Sequence, residues 1–320
     1  MAMKVRKGRF EFTESDSLEA KFQQAFEFAR AHGTFGRKRG VLASVHAKTA
    51  FNALGKTAKK CRWPRNLSPL TLTPNQLNQH VRIRAKQVSG GQVKNEMGPI
   101  RITLKLVGRW NTFAHLTNEK LEIPKRSRIG KGRPTNPVKL AEAIAKAGWR
   151  TLPLILIALA FGLRSMELVE ANASLFEWKY CLMNGLPVRV QAGAKNNRER
   201  FVFIPPDAVS AALHAIELGI ALVKKQGRLV KSVNPAAASQ QFRARLRAVG
   251  LWQENSPHSL RRSFIMKNYN YYLSAGMGED AALSACSADL GHGEERGRWV
   301  YNNYLRAELK SIQETVAEIQ

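Results

Sequence analysis

The sequence has few cysteines and no long apolar run. Cys61, Cys181 and Cys286 are the three cysteines in 320 residues, and they form neither a C-x-x-C pair nor a cluster with histidine. This excludes a disulfide scaffold, argues against a structural zinc site and fits a reducing cytoplasm. The longest apolar run, Leu152 to Leu163, is shorter than the about 20 residues of a bilayer span. The opening residues, MAMKVRKGRF, lack the apolar segment of a signal peptide. We therefore predict a cytoplasmic protein that does not contact a membrane.

Acidic residues are also scarce. The chain holds 51 Lys and Arg against 24 Asp and Glu, a formal charge of +27. Between Phe28 and Asn95 there are 14 basic residues and no carboxylate. Such cations repel one another unless an external polyanion neutralises them. An anionic membrane surface is the alternative partner, but no clean helix sets Trp, Phe or Leu opposite Lys and Arg. The charge therefore favours nucleic acid.

The N-terminal part of the chain reads as a small basic helical domain, 18–121, behind a polar flexible tail, 1–17. Apolar residues near a 3.6 period predict its first helix from Ser17. Further helices are predicted at 41–60, 74–88 (after the Thr73-Pro74 start) and 100–117. Residues 122–137 contain three prolines, two glycines and five Lys or Arg, which is typical of a linker.

The C-terminal part mixes helices and strands. One helix is predicted from Pro137 to Gly148, and a second runs from Thr151 to Ala171 with Pro153 in its first turn. Residues 175–204 alternate and are broken by Gly and Asn, which predicts strands with hairpins. From Pro206 onward the pattern is helical. The expected fold is mainly α with a small β-hairpin, in two domains.

Five short segments of the C-terminal part carry the candidate catalytic residues. They are A-L-A-F-G-L-R-S-M-E-L (158–168), G-A-K-N-N-R-E-R (193–200), H-S-L-R-R (258–262), L-G-H (290–292) and Tyr301. Each alone has an ordinary explanation: an Arg164–Glu167 ion pair, a solvated hairpin lysine at Lys195, a helix start at His258, a packed tyrosine. Their order along one chain is far more specific than any single segment.

In this order the segments resemble the tyrosine site-specific recombinase (phage integrase) family. That family shows A-L-x-x-G-x-R-x-x-E-L, a lysine in a β-hairpin, H-x-L-R, and L-G-H followed nine residues later by tyrosine. The resemblance covers residues 138–305 and implies a mixed α/β catalytic domain behind a helical core-binding domain. The catalytic residues that it implies are Arg164, Lys195, His258, Arg261, His292 and the nucleophile Tyr301, with Glu167 as supporting carboxylate.

Two departures from the family pattern are visible. The spacing from Arg261 to His292 is longer than usual, and the residues after His292, GEERGRWV, are more charged than the usual Ser/Thr-rich run. Tyr304 is the nearest rival nucleophile, but the nine-residue spacing favours Tyr301. More distant rivals are Tyr269, Tyr271 and Tyr272. Trp299 could line the site, but packing in the core is the favoured role.

The residue types suit attack on a phosphodiester. Guanidinium groups such as Arg164 and Arg261 hold two phosphate oxygens each and do not deprotonate. His258 and His292 can donate to the same oxygens, and either can remove the phenolic proton. Lys195 is a credible general acid for the leaving 5′-oxygen. The resemblance implies a 3′-phosphotyrosyl intermediate with no metal or other cofactor, and the chain has neither a P-loop nor a carboxylate cluster for Mg²⁺.

The implied partner is double-stranded DNA carrying a specific recombination site. Residues predicted to contact its backbone are Arg37, Lys38, Arg39, Lys59, Lys60, Arg62, Arg126, Arg128, Lys131, Arg198 and Arg200. The tail, 306–320, carries a narrow apolar stripe of Leu309, Ile312, Val316 and Ile319, and the family suggests that it docks on a neighbouring copy within a tetramer. DNA-bending or directionality proteins are possible accessory partners.

The expected function is integration or excision of a mobile element. A DNA-relaxing enzyme similar to type IB topoisomerases shares the chemistry. A non-catalytic DNA-binding or architectural protein is the alternative from another class, and the presence of all six catalytic residue types argues against it.

Overall fold

The computed structural model describes residues 4–6, 9–13, 15–31, 44–125, 130, 132–194 and 198–319 of the chain. The chain divides into two compact units, residues 1–127 and 128–320. The division falls inside the segment predicted as a linker, 122–137.

The first unit is helical, with one short pair of strands. Its elements are β1 (Lys4–Arg6), β2 (Arg9–Glu11), α1 (Leu18–Ala31), α2 (Ser44–Lys60), α3 (Pro74–Ala85), α4 (Gly90–Leu106) and α5 (Trp110–Phe113). Strands β1 and β2 are antiparallel, with Val5 opposite Phe10. The prediction of a flexible tail over 1–17 is wrong for these strands. Composition could not reveal them, because two three-residue strands need only local pairing of amides with carbonyls.

The core of the first unit lies between α1, α2 and α4. Phe22 and Phe26 of α1 meet Phe51 of α2 with 5.4 and 5.8 Å between ring centroids. All three rings are buried, and burial of each contributes roughly 1.5–3 kcal/mol. Helix α3 begins at Pro74 as predicted, because Thr73 and Gln76 form a capping box.

Helix α4 departs from the predicted helix 100–117. It begins ten residues earlier, where the Ser89 hydroxyl accepts the amide of Gln92, and it runs through Pro99. The apolar stripe of Val93, Met97, Ile100 and Leu104 is buried, and this burial outweighs the poor helix propensity of the Gly and Pro residues.

The second unit contains ten helices and two strands among the described residues. They are α6 (Pro137–Lys146), α7 (Leu152–Phe161), α8 (Ser165–Glu170), α9 (Leu175–Met183), β3 (Val188–Val190), β4 (Arg200–Val202), α10 (Val209–Gln226), α11 (Pro235–Ala248), α12 (Pro257–Ser274), α13 (Glu279–Asp289), α14 (Gly297–Val300) and α15 (Arg306–Ile319). A single π-helical turn, Tyr301–Leu305, joins α14 to α15.

The predicted helix from Thr151 to Ala171 is broken at Gly162. This glycine ends α7 in the left-handed conformation, with φ of +56°, and the chain bends by 118° before α8. A Cβ atom at Gly162 would collide with the ring of Phe264. Glycine is therefore required by both the backbone angle and the close approach. The bend places Arg164 at the start of α8.

The sheet is smaller than predicted, because residues 175–183 form α9 and not a strand. Trp178 of α9 is buried, and its indole N–H donates to the carbonyl of Arg189 at 2.7 Å. Strands β3 and β4 pair antiparallel, with Val188 opposite Val202. The predicted fold class, mainly α with a small hairpin, is confirmed.

Helix α10 belongs to the core of the second unit. With its preceding turn, Pro206–Gln226, it is the one unbroken helix among the described residues whose length and hydropathy would suit a bilayer. Gly219 of this helix lies against Ile157 and Leu175, and Ile216 and Leu222 are buried beside it. These core contacts account for its apolar composition.

Candidate active site

A buried carboxylate, Glu167, organises the basic residues of the second unit. Its side chain is 0% exposed. One oxygen accepts from Arg164 Nη1 at 2.5 Å, and the other accepts from Arg200 Nη2 at 2.9 Å. Arg261 Nη1 lies 3.7 Å from the second oxygen. The short helix α8 makes this possible, because Glu167 also accepts the backbone amide of Arg164 at 2.9 Å.

The charge balance of this cluster is uneven. Burial would raise the pKa of Glu167, but the charges of Arg200, Arg261 and Arg164 outweigh it and hold the pKa at about 2. Glu167 is therefore ionised at neutral pH. Three guanidinium groups share one carboxylate, so the cluster keeps a net positive charge that suits an anionic ligand.

Arg164 and Arg261 also share a backbone acceptor. The carbonyl of Leu290 accepts from Arg164 Nη2 at 3.2 Å and from Arg261 Nη2 at 2.7 Å. Arg261 is fully buried and also donates to the carbonyl of Gly162, whereas the side chain of Arg164 is 28% exposed. Burial, and then Arg200, lower the pKa of Arg261 to about 9, which still leaves it protonated at neutral pH. The sequence predicted both arginines, and the structure brings them together.

The loop at 289–292 is fixed by two further contacts. Asp289 is buried, and its carboxylate accepts from Asn268 Nδ2 at 2.8 Å and the Tyr272 hydroxyl at 2.9 Å. Gly291 has a φ of +68°, and a Cβ atom there would lie 2.9 Å from Cδ of Arg200. The glycine of L-G-H therefore allows the loop to pack on the arginine stem. Sequence reasoning did not identify Asp289, which carries no motif.

The two predicted histidines converge on one tyrosine, Tyr304. The ring centroid of His258, at the start of α12, lies 5.4 Å from that of Tyr304 with 60° between the ring planes. His292 lies 6.4 Å from Tyr304 and 4.5 Å from Trp299. Trp299 is 41% exposed, so the expectation that it packs in the core is wrong. The tryptophan covers His292 at the site instead.

Both histidines are neutral at physiological pH. Desolvation, followed by the charges of Arg262, Arg261 and Arg164, lowers the pKa of His258 to about 4. Desolvation, followed by the positive charges of Arg164 and Arg261, lowers the pKa of His292 to about 4. Nε2 of His292 is buried and has no hydrogen-bond partner among the described residues. Each neutral imidazole can accept a proton.

Tyr301, the predicted nucleophile, begins the π turn that also carries Tyr304. Its side chain is partly buried, whereas that of Tyr304 is only 4% exposed. The guanidinium of Arg298 lies over the Tyr301 ring, 5.4 Å from its centroid. Among the described residues the ring contacts of both histidines are made by Trp299 and Tyr304, so the role of Tyr301 as nucleophile stays a prediction.

The position of Tyr304 follows from the backbone after His292. A 3₁₀ turn at Glu294–Arg296, helix α14 and the π turn Tyr301–Leu305 follow one another. Arg262 also lies over the Tyr304 ring, with 5.8 Å from its guanidinium carbon to the centroid. The sequence prediction kept Tyr304 as the nearest rival to Tyr301, and the structure assigns Tyr304 a buried packing position under the two histidines.

Comparisons with known proteins match this arrangement. The family profile described as Integrase matches residues 140–267, the segment that carries Arg164, His258 and Arg261. A comparison with curated proteins found no match. Residues 140–267 of the second unit thus carry the pattern of the integrase family.

Solved recombinase structures share its fold. The XerH site-specific recombinase bound to palindromic difH, after cleavage, superposes at a TM-score of 0.51 with 18% identity, over 91% of this chain and 83% of that chain. XerH bound to difH before cleavage gives 0.51 and 18%, over 92% and 84%. A lambda integrase tetramer bound to a Holliday junction gives 0.49 and 16%, over 87% and 78%.

One predicted DNA contact, Arg200, is wrong. Arg200 is 3% exposed, and besides Glu167 it donates to the carbonyl of Asp289 at 2.5 Å. Burial lowers its pKa, and Glu167 opposes that effect. Arg200 therefore ties β4 to the carboxylate and to the 289–292 loop. Strand alternation was the available signal, since Arg200 and Val202 point inward and Phe201 points outward.

A cavity of about 550 Å³ opens beside the cluster of Glu167 and its three arginines. It is lined by Leu163, Arg164, Ser165, Met166, Gly193, Arg243, Ser256, Pro257 and His258. Arg243, on α11, adds a cation that sequence reasoning missed because it belongs to no motif. The cavity thus presents Arg164, Arg243 and His258 to whatever enters it.

Several predicted residues lie outside the described part of the chain. They are Arg37, Lys38, Arg39, Arg126, Arg128, Lys131 and Lys195. Gly193, two residues before Lys195, has a φ of +69° and would bring a Cβ atom to 2.9 Å from the amide of Glu167. The chain therefore enters the β3–β4 hairpin beside the cluster. Lys59, Lys60, Arg62 and Arg198 are exposed and available at the surface.

Proposed function

We propose that this recombinase cuts and rejoins duplex DNA at a specific site through a covalent 3′-phosphotyrosyl link to Tyr301. The observation that carries the proposal is the cluster in which Arg164 and Arg261 share the Leu290 carbonyl, next to His292 and to the turn that begins at Tyr301. Tyr304 of the same turn packs on both histidine rings but is only 4% exposed, so we assign it a packing role.

The scissile phosphate enters the cavity lined by Arg164 and His258. Arg164 is the partly exposed guanidinium and reaches the phosphate first, while the buried Arg261 holds the cluster in place through Gly162 and Leu290. Attack puts added negative charge on the non-bridging oxygens. Fixed donors that need no rearrangement stabilise that charge, which is usually the largest catalytic contribution.

The covalent step exchanges one phosphate ester for another. The phenolic oxygen of Tyr301 forms a bond to phosphorus, the bond from phosphorus to the 5′-oxygen breaks, and a neutral imidazole takes the phenolic proton. His258 lines the cavity beside Arg164, so we assign it the proton. Lys195 is the proposed proton donor to the leaving 5′-oxygen. Rejoining reverses these steps, and the tyrosyl ester conserves the bond energy.

Exposed cations of the first unit are proposed to bind the DNA backbone. Lys59 and Lys60 end α2 and Arg62 follows it, and Lys59 has a 3.8 Å contact to Glu19. Exposed pairs of this kind are worth less than about 1 kcal/mol and do not compete with phosphate. Each phosphate neutralised adds about −0.9 to the slope of log affinity against log salt.

The family resemblance supports two further proposals. Integration or excision of a mobile element is the proposed role, with four copies acting on two DNA sites. Within α15, Leu309 is half-buried whereas Ile312 is 50% exposed, which leaves apolar surface for a neighbouring copy. Val316 and Ile319 lie outside the described side chains.

A selection from random sequence tests the proposal and finds the DNA site at the same time. Nicked duplexes with a randomised core are incubated with the protein, and covalent complexes are recovered after denaturation and sequenced. Wild type and Tyr304→Phe are expected to trap one sequence, and Tyr301→Phe to bind it without a covalent product. Trapping lost in Tyr304→Phe and kept in Tyr301→Phe would make Tyr304 the nucleophile. Binding with no covalent product from wild type would establish the architectural alternative, and trapping without sequence preference the relaxing enzyme.

A further inference from the structure

Residues 130 and 132–136 form a strap along the second unit. One end lies on the π turn that carries Tyr304, where the amide of Gly130 donates to the carbonyl of Asn302 at 2.9 Å. The other end lies on α12. The strap therefore touches both elements that meet at the candidate active site.

The π turn explains why the carbonyl of Asn302 takes an outside partner. In an α-helix this carbonyl would accept the amide four residues later, that of Arg306. Here the amide of Arg306 donates to the carbonyl of Tyr301, five residues back. π turns of this kind are frequent at functional sites. The amide of Gly130 satisfies the Asn302 carbonyl and so holds the widened turn.

The strap approaches this turn too closely for any side chain. A Cβ atom at Gly130 would lie 2.6 Å from the carbonyl oxygen and 2.9 Å from Cα of Asn303. These are backbone atoms that cannot move aside without shifting the turn. The φ of Gly130 is outside the left-handed region, so the contact alone, and not backbone strain, demands glycine.

The other end of the strap is anchored beside His258. The hydroxyl of Thr135 lies 2.6 Å from that of Ser259, the residue after His258. The amide of Thr135 donates to Ser263 Oγ at 2.9 Å, and Thr135 is 4% exposed. The strap thus spans from the helix of His258 and Arg261 to the turn of Tyr304.

We propose that the strap is a positioning element, in which the Gly130 amide fixes the register of the turn that presents Tyr301 to the phosphate. This inference rests on the proposed function of Tyr301. Residues of the strap touch no reacting atom. Their effect passes through the π turn, and a displacement of about 1 Å in a nucleophile can cost about 100-fold in rate.

Gly130→Ala is the test, with two matched glycines for comparison. Gly148→Ala is the control, because a Cβ atom there meets nothing within 4 Å and its φ is ordinary. Gly132→Ala meets only the guanidinium of Arg262, the mobile end of a side chain. The probe is the nicked duplex recovered in the selection. At saturating DNA the single-turnover cleavage rate of Gly130→Ala is expected to fall at least about tenfold, that of Gly132→Ala by no more than threefold, and that of Gly148→Ala not at all.

Affinity and stability separate positioning from misfolding. Gly130→Ala is expected to keep its Kd for the duplex within twofold and to retain a cooperative thermal transition. Equal losses in binding and cleavage would make the role of Gly130 structural and overturn the proposal. A cleavage rate equal to that of Gly148→Ala would overturn it as well. Results from Tyr301→Phe are read separately: if that variant cleaves, the proposed function itself fails.

Hydroperoxide gives a second readout that bypasses the phenol. In Tyr301→Phe its oxygen can attack the phosphorus while the bond to the 5′-oxygen breaks, so cleavage reports on the phosphate pocket alone. Tyr301→Phe and Tyr301→Phe/Gly130→Ala are expected to cleave equally with added hydroperoxide. A further tenfold loss in the double variant would place the effect of the strap on the pocket and contradict the proposal.

Discussion

The ring of Tyr304 meets the ring of His258 at 60°, with 5.4 Å between their centroids. His258 lies in the first turn of α12, one turn before Arg261, while Tyr304 comes from the π turn at the other side of the site. The neutral imidazole of His258 thereby lies next to the phenol of Tyr304. The buried guanidinium of Arg261 is close to both side chains: its charge helps to lower the pKa of His258, and Tyr304 acts to raise the pKa of Arg261.

Replacing His258 should slow cleavage while leaving DNA binding intact. A positioned base or acid of this kind contributes about 10²–10⁴-fold, so we expect a loss in that range for His258→Ala. Single-turnover cleavage and a gel-shift Kd measure the two quantities. His214→Ala is the matched control, because His214 is an exposed histidine of α10 in the same unit. A normal rate for His258→Ala would remove His258 from the mechanism.

The arginines and histidines of this site could be predicted from the sequence, but the path to the tyrosines could not. Arg164, Arg261 and the two histidines lie within short motifs whose helical or loop geometry is local. The path from His292 to the tyrosines runs through a 3₁₀ turn, an α-helical turn and a π turn. These advance by different amounts per residue. Counting nine residues from His292 selects Tyr301, but the count does not reveal that Tyr304 packs on both histidine rings.

Tertiary packing explains the other errors. Arg200 looked like a surface cation because its neighbours in the hairpin are charged, and its buried partner Glu167 lies 33 residues away. Residues 175–183 alternate like a strand, yet the burial of Leu175, Trp178 and Leu182 on one face favours a helix. The residues that pack against Arg200 and against the buried face of α9 are distant in the sequence, so sequence periodicity cannot reveal these contacts.

Stability should depend on pH through His292. Its pKa is about 4 in the folded chain, against 6.5 in the unfolded chain. Between these values the unfolded chain binds more protons, so the free energy of unfolding falls as the pH is lowered from about 6.5 towards 4. Above pH 6.5 both states carry neutral histidine and the contribution is complete.

Urea unfolding of the DNA-free protein at several pH values measures this slope. His292→Asn is expected to show a shallower fall than wild type between pH 6.5 and 4, and the same stability trend above pH 7. In wild type and variant alike, the lowered pKa of His258 also makes the free energy of unfolding fall towards acid pH. The raised pKa of Asp289 has the opposite effect in both proteins. Identical slopes would mean that His292 titrates normally in the folded protein.

Glu167→Gln should destabilise the second unit strongly. Three guanidinium groups would lose their carboxylate in a buried site, and removing one partner of such a cluster typically costs about 3–5 kcal/mol. Glu142→Gln is the matched control. Glu142 forms an exposed pair with Lys139, worth less than about 1 kcal/mol. Chemical unfolding measures both, and a loss for Glu167→Gln as small as that of the control would refute the structural role of the carboxylate.

Acid should act on the same carboxylate. The pKa of Glu167 is about 2 in the folded chain against 4.5 when unfolded. Its contribution is complete above pH 4.5 and is lost as the pH falls towards 2. The wild type should therefore lose stability across this window by more than Glu167→Gln does, because the glutamine has no proton to gain.

Gly162→Ala should cost more than Gly276→Ala, although both glycines have positive φ values, +56° and +84°. An alanine in this backbone region costs about 1–2 kcal/mol, and at Gly276 nothing lies within 4 Å to add to it. At Gly162 the new methyl group would collide with Phe264, and overpacking of a core typically adds about 1–3 kcal/mol.

The same substitution should also slow cleavage, because the carbonyl of Gly162 accepts from Arg261 and Arg200. A shift of this carbonyl moves the guanidinium of Arg261 relative to Leu290 and the phosphate pocket. Gly276→Ala, which touches neither arginine, should keep the wild-type rate at a temperature where both proteins are folded. Equal rates and equal unfolding free energies for the two variants would show that the bend at Gly162 neither packs on Phe264 nor holds the arginines.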